Sequence, residues 1–355
     1  MVLIKNKIFY LGSLMLKVIL KFAFASLLIG WLIQSGKLDF KLVAKAFENP
    51  GLMAICALLI ALQILIGATR WRLILMTKAE KRLRLRDVLP VSWIGQFFNT
   101  FLPGAVTGDF IKLLYAKDLD SSLSRTFLVT SALMDRIIGL VGLLFIMGTA
   151  TLLNYSRLSS FSPEMARLMQ FNAFLFLGGF CFILSLMLPA RVQKVFLKFI
   201  RKIPLVGQKF HKLFFEVWAF GRNKMTIFFC VLLSVITQFF GVFAFWLISS
   251  PFFSKEILVS DIFSIVPIGQ ITIAIPISPS GLGVGHFIFD KLFSYVGQSG
   301  GASFFNLFFI LMVGINLLGF FPYVLNKKQH SLKEAEDFEE KERVEEQSII
   351  RASID

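Results

Sequence analysis

Apolar residues fall along this chain in long blocks, at 13–33, 52–69, 126–153, 170–189, 226–249 and 303–325, with few charges inside them. Each is close to the roughly 20 residues that let a helix cross a bilayer core of about 30 Å. They do not show the in-and-out alternation of an outer-membrane barrel strand. The pattern predicts an all-α fold, a polytopic membrane helical bundle with about six full spans.

Two further apolar stretches are interrupted. Residues 88–116 carry NTFLPGAVTGDFIK at Asn99–Lys112, and 257–297 carry IPISPSGLGVGHFIFDKLF at Ile275–Phe293. Proline and glycine there leave peptide groups unpaired, which membranes tolerate only where protein buries the backbone or water reaches it. A helix that restarts after such a break presents free N–H groups and a positive dipole end, which can hold phosphate or carboxylate. The competing reading is a pair of packing kinks, since both residues are common in membrane helices.

Composition agrees with a membrane protein: 56% of the 355 residues are hydrophobic, Phe alone occurs 42 times, and the mean hydropathy is +0.74. The net charge of +15 is unevenly placed: Arg70–Asp87 has seven Lys/Arg against two acids and Arg191–Lys224 nine against one, while 34–50 and 250–261 are nearly neutral. Such asymmetry orients a membrane protein with its basic loops in the cytoplasm and argues against nucleic acid as the partner. If 88–116 crossed once, the second basic loop would lie outside. A hairpin that enters and leaves on the cytoplasmic face restores it, and the same parity makes 257–297 a hairpin from the other face. The expectation is two re-entrant broken-helix hairpins of opposite orientation, an inverted repeat; pairs of short full spans satisfy the same parity.

Residues 1–326 are expected to form the membrane domain, with 191–224 as a basic amphipathic cytoplasmic segment within it. Residues 327–355, with six Lys/Arg and nine acids, are a charged cytoplasmic tail expected as solvated helix or disorder. The amino-terminal block lacks a convincing small-x-small cleavage site and is expected as the first span. Cys56, Cys181 and Cys230 lie in apolar blocks and are expected as buried free thiols. The aromatic residues are expected mostly at interface belts and on lipid-facing surface.

Ionisable residues at membrane depth cost about 3 kcal/mol or more unless paired or hydrated, which makes each a functional candidate. Asp109 and Lys112, three residues apart, can share a helical face. Asp135 and Arg136 lie in SALMDRIIGLVGLLF and point about 100° apart, so they need not share a partner. Asp109 with Arg136 is the expected pair; a purely structural salt bridge is the competing role. After the second break, His286 and Asp290 stand four residues apart, a spacing suited to a proton relay. With three His in the chain and no Cys cluster, neither metal nor cofactor is expected. Walker, nucleophile-elbow and HExxH motifs are missing, so no enzyme activity is expected. The candidate substrate-binding residues are Arg70, Asn99, Pro103, Gly104, Gly108, Asp109, Lys112, Asp135, Arg136, Pro279, Gly281, Gly283, His286 and Asp290.

RWRLIL (70–75), NTFLPGAVTGDFIK, LMDRIIGL (133–140) and PSGLGVGHFIFDKLF (279–293), in this order and spacing, resemble the lysylphosphatidylglycerol synthase transmembrane-domain family over about residues 10–325. That family includes the flippase portion of multiple peptide resistance factor proteins and many stand-alone membrane proteins. The resemblance implies a bilayer-embedded module with two re-entrant elements that moves or binds lipids. Full-length relatives add a cytoplasmic domain that transfers an amino acid from aminoacyl-tRNA to phosphatidylglycerol; no such domain is expected here, and synthase activity is not carried over. The family pattern is matched at Pro103, Gly104, Gly108, Asp109, Asp135, Arg136, Gly281 and Gly283. It departs at Thr107, where a second glycine is usual, at Lys112, where Arg is usual, at His286, where Glu is usual, and at Val313–Ile315, which lack an Arg common in the last helix. Lys in place of Arg gives up the bidentate fork.

The expected function is a lipid flippase or lipid-headgroup transporter in a bacterial-type cytoplasmic (inner) membrane, with both termini cytoplasmic. Its expected partners are membrane lipids, anionic or aminoacylated phospholipid, with homo-oligomerisation left open. A membrane-embedded enzyme acting on a lipid-linked substrate and a non-transporting scaffold are the alternatives.

Overall fold

A computed structural model describes residues 40–101, 107–189, 223–275 and 281–326, with positions 30, 34, 191–193, 196, 218, 220, 330 and 334 besides. The expected first span, Pro103, Gly104 and Pro279, most of the basic segment 191–224 and most of the tail lie outside the described residues.

Among the described residues there is no strand. The helices are α1 (Phe40–Phe47), α2 (Pro50–Leu75), α3 (Leu85–Phe101), α4 (Thr107–Leu119), α5 (Arg125–Ser159), α6 (Pro163–Met187), α7 (Lys224–Ser249), α8 (Val259–Ala274), α9 (Val284–Ser294), α10 (Gly301–Leu317) and α11 (Phe320–Leu325). Several begin where local chemistry requires. Asn49, Ser124, Ser162 and Asn223 each accept a hydrogen bond from the amide three residues on, at 3.1–3.2 Å. Pro50 and Pro163 follow in the first turn, where a missing N–H costs nothing.

Five helical stretches are long and apolar enough to cross a membrane: Pro50–Leu75, Arg125–Ser159, Pro163–Leu186, Lys224–Phe252 and Gly301–Leu325. They coincide with five of the six apolar blocks. The two interrupted stretches are pairs of shorter helices: α3 and α4 have 17 and 13 residues, α8 and α9 have 16 and 11. At 1.5 Å per residue the longest of the four reaches about 26 Å, short of a full hydrocarbon core.

The central pair is α2 with α7, and α5 packs against α6, α7 and α8. Glycine permits the close approaches. A Cβ at Gly241 would stand 2.2 Å from Gln63 Nε2, and one at Gly142 would stand 2.3 Å from Ser234 Oγ. Around α7, α9 and α10, Phe245, Phe289, Phe293, Phe304 and Phe305 are at most 1% exposed, with Phe289 stacked at 5.0 Å between Phe245 and Phe305. Trp71 is wholly buried too, while Phe47, Phe161, Phe171, Phe174, Phe228 and Phe321 are at least half exposed, so the aromatics divide between the interior and the outward surface. Lipid is as apolar as a helix interface, so hydropathy does not tell an inward ring from an outward one. One expectation is corrected: Cys181, expected as a buried thiol, is exposed, while Cys56 and Cys230 are buried.

The two short-helix pairs repeat one another. α3 begins RDVLPVSWIGQ (86–96) and α8 begins SDIFSIVPIGQ (260–270), each with an Asp in its first turn, a proline inside the helix and the same Ile-Gly-Gln. A Cβ at Gly95 would stand 3.0 Å from Lys112 on the returning helix, and one at Gly269 would stand 2.4 Å from Phe289. α4 then carries Gly108-Asp109-Phe110 where α9 carries Gly285-His286-Phe287. The same pairing of short helices is built twice, with the carboxylate of Asp109 at the start of the first returning helix where the second has the ring of His286.

One tail position is described as part of the fold. His330, expected in a solvated segment, is buried: its amide donates to the Tyr115 hydroxyl at 3.2 Å, and its ring bridges Asp118 (2.6 Å) and Glu334 (2.5 Å). A ring held between two carboxylates has both nitrogens satisfied away from water.

Candidate functional site

The first hairpin is built on close backbone contact. A Cβ at Gly108 would stand 2.5 Å from the backbone nitrogen of Asn99, so the start of α4 lies directly on α3. That contact brings Asp109 to Asn99, whose Nδ2 donates to Oδ1 at 3.0 Å. The other carboxylate oxygen accepts from Arg136 on α5, from Nε at 2.7 Å and from Nη2 at 2.6 Å. The expected Asp109–Arg136 pair is therefore present.

One turn further along α4, the Lys112 ammonium lies 3.6 Å from the centroid of the Trp71 ring on α2. The indole is fixed in turn: its N–H donates to Ser131 Oγ at 3.2 Å, and that hydroxyl donates to the Leu128 carbonyl at 2.7 Å. Beside Trp71, Arg70 donates from Nε to Asp135 Oδ1 at 2.7 Å and from Nη1 to Ser234 Oγ at 3.1 Å. Ser234 donates onward to the Ile138 carbonyl at 2.8 Å. Asp135 and Arg136, adjacent in sequence, thus take different partners, as their angular offset on the helix allows.

Five charges from α2, α4 and α5 form one cluster. Lys112 lies within electrostatic reach of both carboxylates and both guanidinium groups. The inner pair is secluded, with side-chain exposures of 9% for Arg70 and 15% for Asp135, whereas Arg136 is 45% exposed. The arrangement has one fixed ion pair, one pair open at its arginine, and a lysine over a ring between them.

Among the described residues the second hairpin shows no such cluster. Gly281 and Gly283 both have φ +76°, and a Cβ at Gly281 would stand 2.7 Å from Ile273 Cβ, so the turn into α9 requires glycine twice over. The Gly283 amide donates to His286 Nδ1 at 3.3 Å, which leaves the proton on Nε2 facing Asn306 Oδ1 at 3.3 Å. Both ring nitrogens of His286 are thus engaged by Gly283 and Asn306 rather than by Asp290. His286 instead fastens the start of α9 to α10, edge-on to Phe305 at 4.9 Å. At the far end of α5, Arg157 pairs with Asp261 of α8, beside Asn154 and Ser260.

The structure thus gathers Arg70, Asn99, Gly108, Asp109, Lys112, Asp135 and Arg136, and leaves Gly281, Gly283, His286 and Asp290 in a separate arrangement. Sequence reasoning missed Trp71, Ser131 and Ser234. The tryptophan between two arginines in RWR was the available signal; two serines in apolar helices offered none.

A family model described as the lysylphosphatidylglycerol synthase TM region matches residues 18–325. No curated protein and no solved structure matches the chain.

Proposed function

The chain belongs to the family of the lysylphosphatidylglycerol synthase TM region, and from that footing we propose that it is a lipid flippase or lipid-headgroup transporter of a bacterial-type inner membrane, with both termini cytoplasmic. In this reading α3–α4 enters from the cytoplasmic face and leaves by it, and α8–α9 is its inverted counterpart from the other face. The chain moves a headgroup and catalyses no bond change.

The observation that carries the proposal is the five-charge cluster beside the first break. A structural bridge between two helices needs one pair. Here a second pair opens toward the surface through the half-exposed Arg136, and a fifth ion stands within reach of both. A headgroup that reaches Lys112 and draws Arg136 from Asp109 gives the cluster a second arrangement, as an alternating device requires.

Purified protein reconstituted with fluorescent phosphatidylglycerol, its lysyl derivative and a neutral control lipid tests this through dithionite quenching of the outer leaflet. Asp109→Asn is expected to slow exchange by about tenfold or more, the worth of one charge-assisted contact. Unchanged exchange in both Asp109→Asn and Arg136→Ala would sink the mechanism.

A further inference from the structure

Resting on the transport reading above, we propose that the first hairpin takes a lipid whose headgroup is a phosphodiester with a single negative charge, and that Lys112 is the residue that receives its phosphate.

The first argument is charge balance. Among the described residues, Arg70, Lys112 and Arg136 face Asp109 and Asp135, which leaves one positive charge in excess. Residues 102–106, LPGAV, carry no charged side chain. Of the other cations on these helices, Arg72 is turned to the Leu83 carbonyl at 2.8 Å, Lys117 donates to the Ser121 and Leu123 carbonyls, Arg157 pairs with Asp261, and Arg125 is eleven residues before Arg136, about 16 Å along α5. A cluster at membrane depth with one surplus charge is completed by one negative charge.

The second argument is hydrogen-bonding capacity. Asp109 accepts from Asn99 and Arg136, Asp135 from Arg70, and Arg70 also donates to Ser234. Among the described residues, Lys112 nitrogen has no hydrogen bond and no carboxylate oxygen within 4.0 Å. It rests on the Trp71 face, and that contact offers its N–H donors a ring but no oxygen or nitrogen lone pair. A compact ammonium with free donors suits one phosphate oxygen.

Together these select among headgroups. A phosphodiester supplies one negative charge. A terminal phosphomonoester carries close to two near neutral pH and would overshoot. A zwitterionic headgroup returns the positive charge that its phosphate removes, and lysyl-phosphatidylglycerol, with two ammonium groups against one phosphate, adds a further one. The anionic class is therefore assigned over the aminoacylated one.

The test is binding, separate from transport. Detergent-purified protein is titrated with dihexanoyl phosphatidylglycerol, dihexanoyl phosphatidylcholine, a short-chain lysyl-phosphatidylglycerol and glycerophosphoglycerol, following tryptophan emission with Trp71→Phe as the reference. Phosphatidylglycerol is expected to bind about tenfold more tightly than the other three and to perturb an emission that Trp71→Phe lacks. Lys112→Met is expected to lose about tenfold in phosphatidylglycerol affinity alone, while Lys112→Arg, which keeps the charge, retains it and excludes misfolding as the cause. Wild-type affinity in Lys112→Met, or phosphatidylcholine or the lysyl lipid binding as tightly, overturns the proposal. Equally tight glycerophosphoglycerol assigns the site to soluble phosphodiesters and overturns the lipid source. Lys112-dependent binding without leaflet exchange would defeat the transport reading and leave this one standing. Exchange with Lys112-independent binding would do the reverse.

Discussion

Asp135 and Asp109 each sit in an ion pair, but in surroundings that give the pairs different worth. Asp135 faces an arginine that is 9% exposed, so Asp135→Asn leaves a buried cation uncompensated. The expected loss is about 3–5 kcal/mol, read as a large drop in melting temperature in detergent. Replacing both partners, Arg70→Met with Asp135→Leu, is expected to recover most of it, because no ion is then stranded. Asp109→Asn is expected to cost under about 1 kcal/mol, since Arg136 is 45% exposed and water takes over its solvation. Stability and exchange then separate: Asp135 dominates the first and Asp109 the second. Normal melting in Asp135→Asn would show that water already reaches Arg70. The outer pair was legible in the sequence because both ions stand in short, distinctive motifs. Partnering Arg70 with Asp135 needed the α2–α5 contact, which spans 65 residues and leaves no local trace.

At the scale of elements, the turn after α4 is tied to the loop after α2 by one carboxylate. Asp120 is 1% exposed and accepts from the Ser122 hydroxyl at 2.7 Å, from the amides of Glu80 and Lys81 at 3.0 Å, and from the Ser122 amide at 2.9 Å. The Ser122 hydroxyl foremost, and then the Lys81 and Ser122 amides, hold its carboxyl well below the usual carboxylate range. A carboxyl depressed in the folded state stabilises it fully above its ordinary value, near 3.9, and the benefit is lost as pH falls through the folded value. Hydrogen-exchange protection of the Glu80 and Lys81 amides is expected to hold from pH 7 to about 4, fall on further acidification, and be lost in Asp120→Ala at every pH. Protection in that variant equal to wild type would assign the loop's order to other contacts. The orientation of the hairpins has its own check: single cysteines at the exposed Ser121 and Ser299, with Cys56, Cys181 and Cys230 replaced, are expected to react with an impermeant thiol reagent from opposite sides of the membrane. Labelling from one side would refute the inverted arrangement. The breaks themselves were legible from proline and glycine. The repeated Ile-Gly-Gln was equally visible, but its meaning appears only when Gly95 and Gly269 are seen to seat Lys112 and Phe289 in matching places.

At the scale of the whole molecule, five described spans follow from block length and hydropathy alone, because a bilayer imposes one length on every crossing helix. What hydropathy does not carry is which side of each helix faces protein, and so the Phe245–Phe289–Phe305 stack and the buried Trp71 emerge only from the packed structure. His330 is a similar case: its ring joins the tail to α4 through Tyr115 and Asp118, a contact hidden in a segment whose composition resembles disorder. α5, finally, has a length that says more than that it crosses. Its 35 residues extend about 52 Å, and Arg125 and Arg157 near its ends stand about 48 Å apart, close to the 40–45 Å of a bilayer with its headgroups. Asp135 is about 15 Å from Arg125, roughly a third of the way along. The helix is thus a depth gauge that sets the ions off centre, within reach of one leaflet. Lengthening the acyl chains of the host membrane would sink the gauge's midpoint away from water and raise the work of admitting a headgroup, while shortening them would ease it. Exchange rates are therefore expected to fall as chain length increases at constant headgroup, and a rate indifferent to thickness would mean that the membrane deforms around α5 to keep the ions near water.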